Sequence, residues 1–414
     1  MVFIGFLWTA GALAQTSPLT LDSCYELATR NYPLIKQREL IRQTKEYSVE
    51  NASKGYLPQL SFSGQATYQS QTIAFPFKIP GVVLPVYSKD QYRVQAELDQ
   101  TIYDGGAIKF SKELTKAEEA IQTQSMEVDL YALKDRVNQL FFGILLIAEQ
   151  LKQNALQALD FENEAEKTQA SVTNGTSLRS SLDELKAEIL VTDQSRTELL
   201  ASRKAYTQML SLFLNQKLDE SSSLVKPSPA ALSTTIKRPE LALFDYQQKS
   251  IDIREQQLKI NYLPKVGAFV QGAYGRPTLN FISNEFGFWA LGGIKFNWSL
   301  SSLYTLKNDR RLLNLDRKNI DIQKETFLFN TNLTLTQESA EENKYQELLE
   351  QDQKIISLRA SVKTASAAQL ENGVITSHDY ILQVNAENQA RQTQILHEIQ
   401  FLQSQYTTKN TSGN

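Results

Sequence analysis

Few side chains in this sequence of 414 residues have the types and spacings that catalysis or metal binding requires. The only histidines are His378 and His397, and the only cysteine is Cys24. The histidines have no cysteine or acidic partner at ligand spacing, so we expect no metal site. The sequence also lacks a P-loop, a dinucleotide-binding fingerprint, a nucleophile elbow and a zinc-binding helix motif. We therefore predict that the protein is not an enzyme and holds no cofactor.

The composition excludes two further classes of protein. The formal net charge of -3 is spread without runs, so the chain lacks the basic footprint of a nucleic-acid-binding protein. The mean hydropathy is -0.35 and no apolar run reaches about 18 residues, which excludes a membrane-spanning helix in the mature chain.

The first fourteen residues differ from the rest of the chain. The segment 2–13 is apolar, and Ala12-Leu13-Ala14 before Gln15 is the small-x-small pattern of a signal-peptide cleavage site. A buried first strand or helix is the alternative interpretation. We predict a signal peptide over 1–14, so that the mature chain is exported.

The elements that must position any functional residue include two unusually long helices. No proline occurs from 107 to 226 or after Pro277, and glycines are rare in both stretches. Helices over 107–172 and 303–371 would be roughly 99 Å and 104 Å long at about 1.5 Å per residue. The three-four spacing of apolar residues from Leu130 to Leu151 predicts a coiled-coil seam, with a plain helical bundle as the alternative.

Four segments have the alternating pattern of β-strands. In the first, Leu60 to Tyr68 alternate with Ser61 to Gln69, whereas the third is less regular because Phe269 falls on its polar side. Lengths near ten residues suit tilted strands across a bilayer, although a sheet packed on helices in a soluble domain gives the same pattern. If the strands cross a membrane, the lipid-facing side chains include Phe62, Tyr68, Phe296 and Trp298. Four strands cannot enclose an open lumen, so several chains would have to pool them.

The element pattern occurs twice. Tyr56-Leu57-Pro58 and Tyr262-Leu263-Pro264 precede matching strands, and the pairs Asn174-Gly175 and Asn372-Gly373 each follow a long helix. We predict a first repeat over 15–220, a linker over 221–239 and a second repeat over 240–414. After an initial helix, the first repeat is predicted to hold strands at about 58–71 and 91–103, a long helix at about 107–172 and a return helix at about 177–216. The corresponding elements of the second repeat are strands at about 264–276 and 287–300, a long helix at about 303–371 and a return helix at about 376–407.

This order of elements, together with several local motifs, resembles the TolC-type outer-membrane efflux proteins. The motifs are Leu19-Thr20-Leu21, Tyr25-Glu26-Leu27-Ala28, Asn31-Tyr32-Pro33, Gly55-Tyr56-Leu57-Pro58-Gln59-Leu60 and Asp99-Gln100-Thr101-Ile102-Tyr103-Asp104-Gly105-Gly106. The resemblance covers nearly the whole mature chain.

The resemblance implies a mainly helical homotrimer with a membrane β-barrel portion. Four strands from each of three protomers would form a twelve-stranded barrel in the outer membrane, and the long helices would form an α-barrel in the periplasm. Such a protein would be the channel of a tripartite efflux or type I secretion system, passively exporting substrates. Its partners would be a periplasmic adaptor protein, an inner-membrane transporter and outer-membrane lipid.

The same resemblance assigns roles to residues around the two Asn-Gly pairs. The tips that contact the adaptor would consist of Asn174, Gly175, Thr176, Ser177, Leu178, Asn372, Gly373, Val374 and Ile375. Asp379 would line the pore entrance as a ring of carboxylates that favours cations, with Asp183 as its counterpart in the first repeat. Ordinary turns and helix N-termini would account for the same residues. The competing function is a periplasmic coiled-coil protein with a structural or tethering role and no channel.

Overall fold

The computed structural model describes residues 19–73, 76, 80–81, 87–219, 222–230, 233, 235–280 and 283–414. The expected signal peptide over 1–14 lies outside these residues. The chain forms two compact units, of which the first combines Met1–Lys36, Met126–Pro239 and Thr326–Asn414, and the second combines Gln37–Ser125 and Glu240–Glu325. Both sequence repeats therefore contribute to each unit.

Helices make up most of the described residues, as the sequence predicted. The helices are α1 (Leu21–Asn31), α2 (Gln37–Ser53), α3 (Ala107–Tyr131), α4 (Leu133–Thr173), α5 (Arg179–Leu214), α6 (Pro239–Ile260), α7 (Leu306–Glu371) and α8 (Ser377–Ser412). The strands are β1 (Gln59–Tyr68), β2 (Asp90–Tyr103), β3 (Lys265–Arg276) and β4 (Gly287–Asn297). None of the described helices has a stretch long and apolar enough to cross a membrane.

The helix expected over 107–172 is interrupted once, at Ala132, whereas α7 is continuous over 66 residues. Ala132 keeps helical dihedrals (φ -62°, ψ -16°), and its N–H still donates to the Val128 carbonyl at 3.3 Å. The adjoining side chain of Tyr131 donates its hydroxyl to the Asn410 carbonyl at 2.8 Å, which ties this point of the helix to α8. No proline or glycine marks the position, so sequence alone could not locate the interruption.

The first unit has two apolar cores along α4. The first core packs α4 against α1, α5 and the end of α8, and Phe141 and Phe142 are fully buried in it. The second core lies nearer the Asn-Gly turns and centres on Phe161, which is fully buried against α5 and α8. The predicted seam of α4 therefore packs into the first core, together with Phe141, Phe142 and Leu145 beside it.

The second unit contains an antiparallel sheet with the order β1-β2-β3-β4. The register pairs Leu60 with Leu98, Leu98 with Val270 and Val270 with Gly292. Leu60 belongs to the predicted apolar set of the first strand, so its partners across the sheet lie on the same face. The β2-to-α3 connection is closed by Asp104, whose carboxylate accepts the N–H groups of Gly106 at 2.8 Å and Ile108 at 2.7 Å.

Candidate functional site

The two Asn-Gly turns of the first unit have the same backbone geometry. Gly175 and Gly373 have φ angles of 75° and 70°, a conformation that glycine adopts at low cost. In each turn the next residue, Thr176 or Val374, donates its N–H to the carbonyl five residues earlier, at 2.9 Å and 2.8 Å. This is the bond that ends helices in Schellman motifs. An added Cβ would meet no atom within 4 Å at either glycine, so conformation rather than space requires glycine here.

The helices that follow the two turns begin differently. Thr376 caps α8 in a reciprocal arrangement: its hydroxyl accepts the Asp379 N–H at 3.2 Å, and its own N–H donates to the Asp379 carboxylate at 3.0 Å. The Thr376 hydroxyl and backbone N–H hold the pKa of Asp379 below its usual value. At the start of α5 the cap position is Leu178, which makes no side-chain cap and is 72% exposed.

The two predicted tips meet at a shared groove of about 560 Å³. Its lining includes Thr176 and Leu178 from the first turn, Gly373 and Ile375 from the second, and the apolar side chain of Leu370. The structure thus brings together the two segments, 174–178 and 372–375, that the sequence singled out separately. Val374 lies beside the groove with 70% of its surface exposed.

Charged side chains next to the turns join α5 to α8. His378 Nδ1 lies 2.6 Å from the Glu184 carboxylate, and this hydrogen bond raises the pKa of His378. Asp183 is exposed and lies 4.0 Å from Arg179 of its own helix. Asp379 instead binds Thr376, the cap residue of its own helix.

The sheet of the second unit has one apolar face and one polar face. Phe62, Tyr68 and Phe296 lie on the apolar face and are 74%, 76% and 64% exposed. Trp298 follows the last residue of β4 and donates its indole N–H to the Tyr262 carbonyl at 3.0 Å. A wide exposed apolar face is unusual for a soluble monomer and typical of a surface that something else covers.

The polar face carries a compact charged cluster. Lys295 Nζ lies 2.9 Å from the Glu97 carboxylate and 2.8 Å from the Asp99 carboxylate. Phe269 also lies on this face, where its ring covers the position that a side chain at Gly293 would occupy. The irregularity of the third strand is thus explained by packing across the sheet.

Residues 24–214 match the family model described as outer membrane efflux protein. The matched segment is 191 of the 414 residues, so this part of the chain is similar in sequence to that family. Solved structures of outer membrane proteins share the fold of this chain over 95% of its length: the CmeC outer membrane channel of Campylobacter jejuni (12% identity, TM-score 0.66, 85% of that chain covered) and the outer membrane protein VceC of Vibrio cholerae (10%, 0.66, 96%). The open state of the MtrE outer membrane channel of Neisseria gonorrhoeae is similar too (12%, TM-score 0.65, 95% of this chain and 89% of that chain covered). No curated protein matches the sequence.

The family match confirms the resemblance drawn from the sequence motifs, and the similar solved structures include outer membrane channels. The match ends at Leu214, within the first repeat. The second repeat has the same strand-helix-turn-helix order and the same turn geometry.

Sequence reasoning missed one cluster in this protein. Lys363 of α7 lies 2.7 Å from Asp160 of α4 and 2.8 Å from Glu387 of α8, which also pairs with Arg391 at 2.6 Å. Only the pair Glu387 and Arg391, four residues apart on one helix, was visible as a sequence pattern. The cluster ties three helices together between the second core and the rest of α8.

Proposed function

We propose that three copies of this chain form a closed channel in the outer membrane that extends into the periplasm. The observation that carries this proposal is a four-stranded sheet with one exposed apolar face and two edge strands, β1 and β4. Unpaired strand edges are not tolerated in lipid, because their backbone groups would lack partners. A single copy is therefore incomplete as a membrane structure.

The sheet has the geometry that closure by copies requires. Its neighbouring strands are all antiparallel, so β1 and β4 run in opposite directions. β4 of one copy can consequently pair with β1 of the next in the same antiparallel sense. Three copies give twelve strands, an even number within the range of outer-membrane barrels. The apolar face then meets lipid and the polar face lines the lumen.

We further propose that the channel is the passive outer-membrane component of a tripartite efflux or type I secretion system. The groove between the turns and the exposed apolar side chains of Leu178 and Val374 support contact with a periplasmic adaptor, which an inner-membrane transporter would accompany. Asp379 and Asp183 would give the pore entrance its negative charge. A duct without a catalytic site takes its direction of transport from the transporter that feeds it.

The test places arginine on each face of the sheet. Phe62→Arg and Phe296→Arg put a charge on the apolar face at a cost of about 2–4 kcal/mol per copy near the bilayer centre. Ser63→Arg is the matched control, because Ser63 follows Phe62 directly and pairs with Gln95 on the polar face. We expect the two phenylalanine variants to lose the heat-modifiable trimer from outer-membrane fractions, and the control to retain it.

Equal trimer yields from all three variants would contradict the lipid-facing assignment. Recovery of the parent protein from the soluble fraction after carbonate washing would contradict the channel itself. For the adaptor contact, Leu178→Asp should abolish co-purification of the adaptor and transporter while trimer yield is unchanged. Undiminished co-purification would show that the partner binds elsewhere.

A further inference from the structure

The charged cluster on the polar face of the sheet consists of Lys295, Glu97 and Asp99, whose contacts with one another the fold alone does not require. Glu97 receives three donors: Gln271 at 2.9 Å on the neighbouring strand β3, Lys295 at 2.9 Å on β4, which lies beyond β3, and Gln95 at 3.2 Å on its own strand. These bonds hold the carboxylate in one place, with 19% of its side chain exposed. Asp99, two residues along β2, has a more open position with 42% of its side chain exposed.

Lys295 is positioned to reach both carboxylates by a contact with the ring of Phe269 on the strand between them. Its ammonium lies 5.2 Å from the centre of the Phe269 ring, within the range of cation–π attraction. The ring can occupy this place because Gly293 has no side chain: a Cβ there would lie 3.1 Å from it. The side chain of Lys295 remains 53% exposed on the polar face, so its charge acts on the space in front of the sheet.

The cluster is electrically unbalanced. Two carboxylates face one ammonium, so each copy carries one excess negative charge at this level of the sheet. Arg93 and Lys265 add cations to the same face, but at other positions of the register: Arg93 pairs with Gln65, and Lys265 lies opposite Asn297. Lys295 is therefore the group that sets how much of the negative charge of Glu97 and Asp99 is felt by a passing ion.

We propose that Lys295 is a specificity-determining residue of the channel, which limits the preference for cations at the level of the strands. This inference rests on the proposed trimeric channel, in which three copies of the cluster form a ring in the lumen. The ring is distinct from the aspartates proposed at the entrance, because it belongs to the other unit of the chain. The net charge of Lys295 and its two carboxylates would favour or disfavour the passage of charged and amphipathic cargo at this level of the channel.

The experiment measures the reversal potential of purified full-length protein in planar bilayers under a KCl gradient. Lys295→Gln should raise the ratio of K⁺ to Cl⁻ permeability at least about twofold near 0.1 M salt, where the screening length is about 10 Å. The increase should vanish near about 1 M salt, where the screening length is about 3 Å. Lys295→Arg keeps the charge and should leave the ratio at the parent value.

Two further variants separate charge from structural damage. Lys295→Gln combined with Asp99→Asn restores the parent charge balance and should restore the parent ratio. Glu97→Gln combined with Asp99→Asn leaves Lys295 in excess and should shift the ratio towards anions, so the proposal can be tested even where Lys295→Gln assembles poorly. If the parent protein conducts and all these variants keep its ratio of K⁺ to Cl⁻ permeability, the proposed role of Lys295 is overturned and the proposed channel is not. A parent that forms trimers but no conducting channels would instead contradict the proposed function.

Discussion

The three-helix ion cluster gives the sharpest test of how the first unit is held together. Lys363 on α7 joins Asp160 on α4 to Glu387 on α8, and Arg391 binds the other oxygen of Glu387. The Glu387 side chain is only 6% exposed, so its charge depends on these two cations. The perturbation replaces the cations by methionine, singly and together, and then replaces Glu387 by leucine in the double variant.

The magnitudes follow from what each variant leaves behind. Lys363→Met keeps Arg391 on the buried carboxylate, and Lys363 is itself 22% exposed, so we expect a loss of about 1–2 kcal/mol. Arg391 is 40% exposed and four residues from Glu387 on the same helix, so Arg391→Met should cost about 0.5 kcal/mol or less. The double variant leaves a buried carboxylate without a cation, which costs about 3–5 kcal/mol. Adding Glu387→Leu removes that charge and should recover most of the loss.

The assay is amide hydrogen exchange over residues 356–391 of the detergent-solubilised protein, because it reports local free energies without assuming one cooperative transition. The pH response provides a second check. Although burial opposes it, hydrogen bonds from Lys363 and Arg391 hold the pKa of Glu387 below its ordinary value of 4.5. Its contribution in the parent is therefore present above that value and is lost as the pH falls through the lowered pKa. In the double variant the sign reverses, and acidification should restore protection by protonating the stranded carboxylate. Additive losses in the double variant, or a triple variant as unprotected as the double, would refute the reasoning.

Three further predictions concern the turns and the first core. Thr376→Val removes a helix cap and should weaken protection of the first turn of α8 by about 1 kcal/mol. Leu178→Ser adds a helix cap and should strengthen protection of the first turn of α5 by a similar amount. Equal exchange rates before and after either change would contradict the cap assignment. The contact of His378 with Glu184 raises the His378 pKa from 6.5, so its stabilisation is complete below about pH 6 and is lost as the pH rises through the raised value. After correction for base-catalysed intrinsic exchange, protection at the tip should fall from about pH 6 to pH 8.5, and Glu184→Gln should abolish this fall, whereas an unchanged response would exclude the pair. Burial raises the pKa of Cys24 to about 12, so a maleimide should label it at about pH 8 only after unfolding, and labelling of the native protein would contradict its burial.

The predictable part of the fold was the part set by local periodicity. The three-four spacing along α4 and the alternation in β1 and β2 fixed which side chains share a face, and the register of the sheet agrees with those faces. The order of these elements, which occurs twice, and several local motifs carried the resemblance to a known family and the fold class that it implies. The resemblance to a known family supplied the roles of the tip residues, which no local pattern distinguishes from ordinary turns.

The unpredictable part depends on contacts between residues far apart in the sequence. Phe269 looked like an exception to the strand pattern until its ring was seen over Gly293 of the next strand. Lys363 resembled any solvated lysine on a long helix, yet it meets carboxylates more than twenty and about two hundred positions away. The N-termini of the two return helices show a different limit of prediction from sequence. The repeat predicts equivalent turns, which the structure has, but the N-caps at Leu178 and Thr376 differ.

The contacts of α7 in the first unit extend the argument that a single copy is incomplete. Its hydrogen bonds and ion pairs to α8 run in antiparallel order: Glu338 with Thr411, Glu342 with Gln405, Asp352 with His397 and Lys363 with Glu387. Large apolar side chains of the same helix point elsewhere, and Phe329, Leu333 and Leu358 are 67%, 62% and 69% exposed. A helix that binds α8 through these polar groups and leaves such apolar residues uncovered needs another apolar surface. The edge strands of the sheet in the second unit also need a neighbour, because their backbone groups lack hydrogen-bond partners. Neighbouring copies would satisfy both, which is why a stable monomer in solution without detergent would contradict the proposed assembly more directly than any loss of transport.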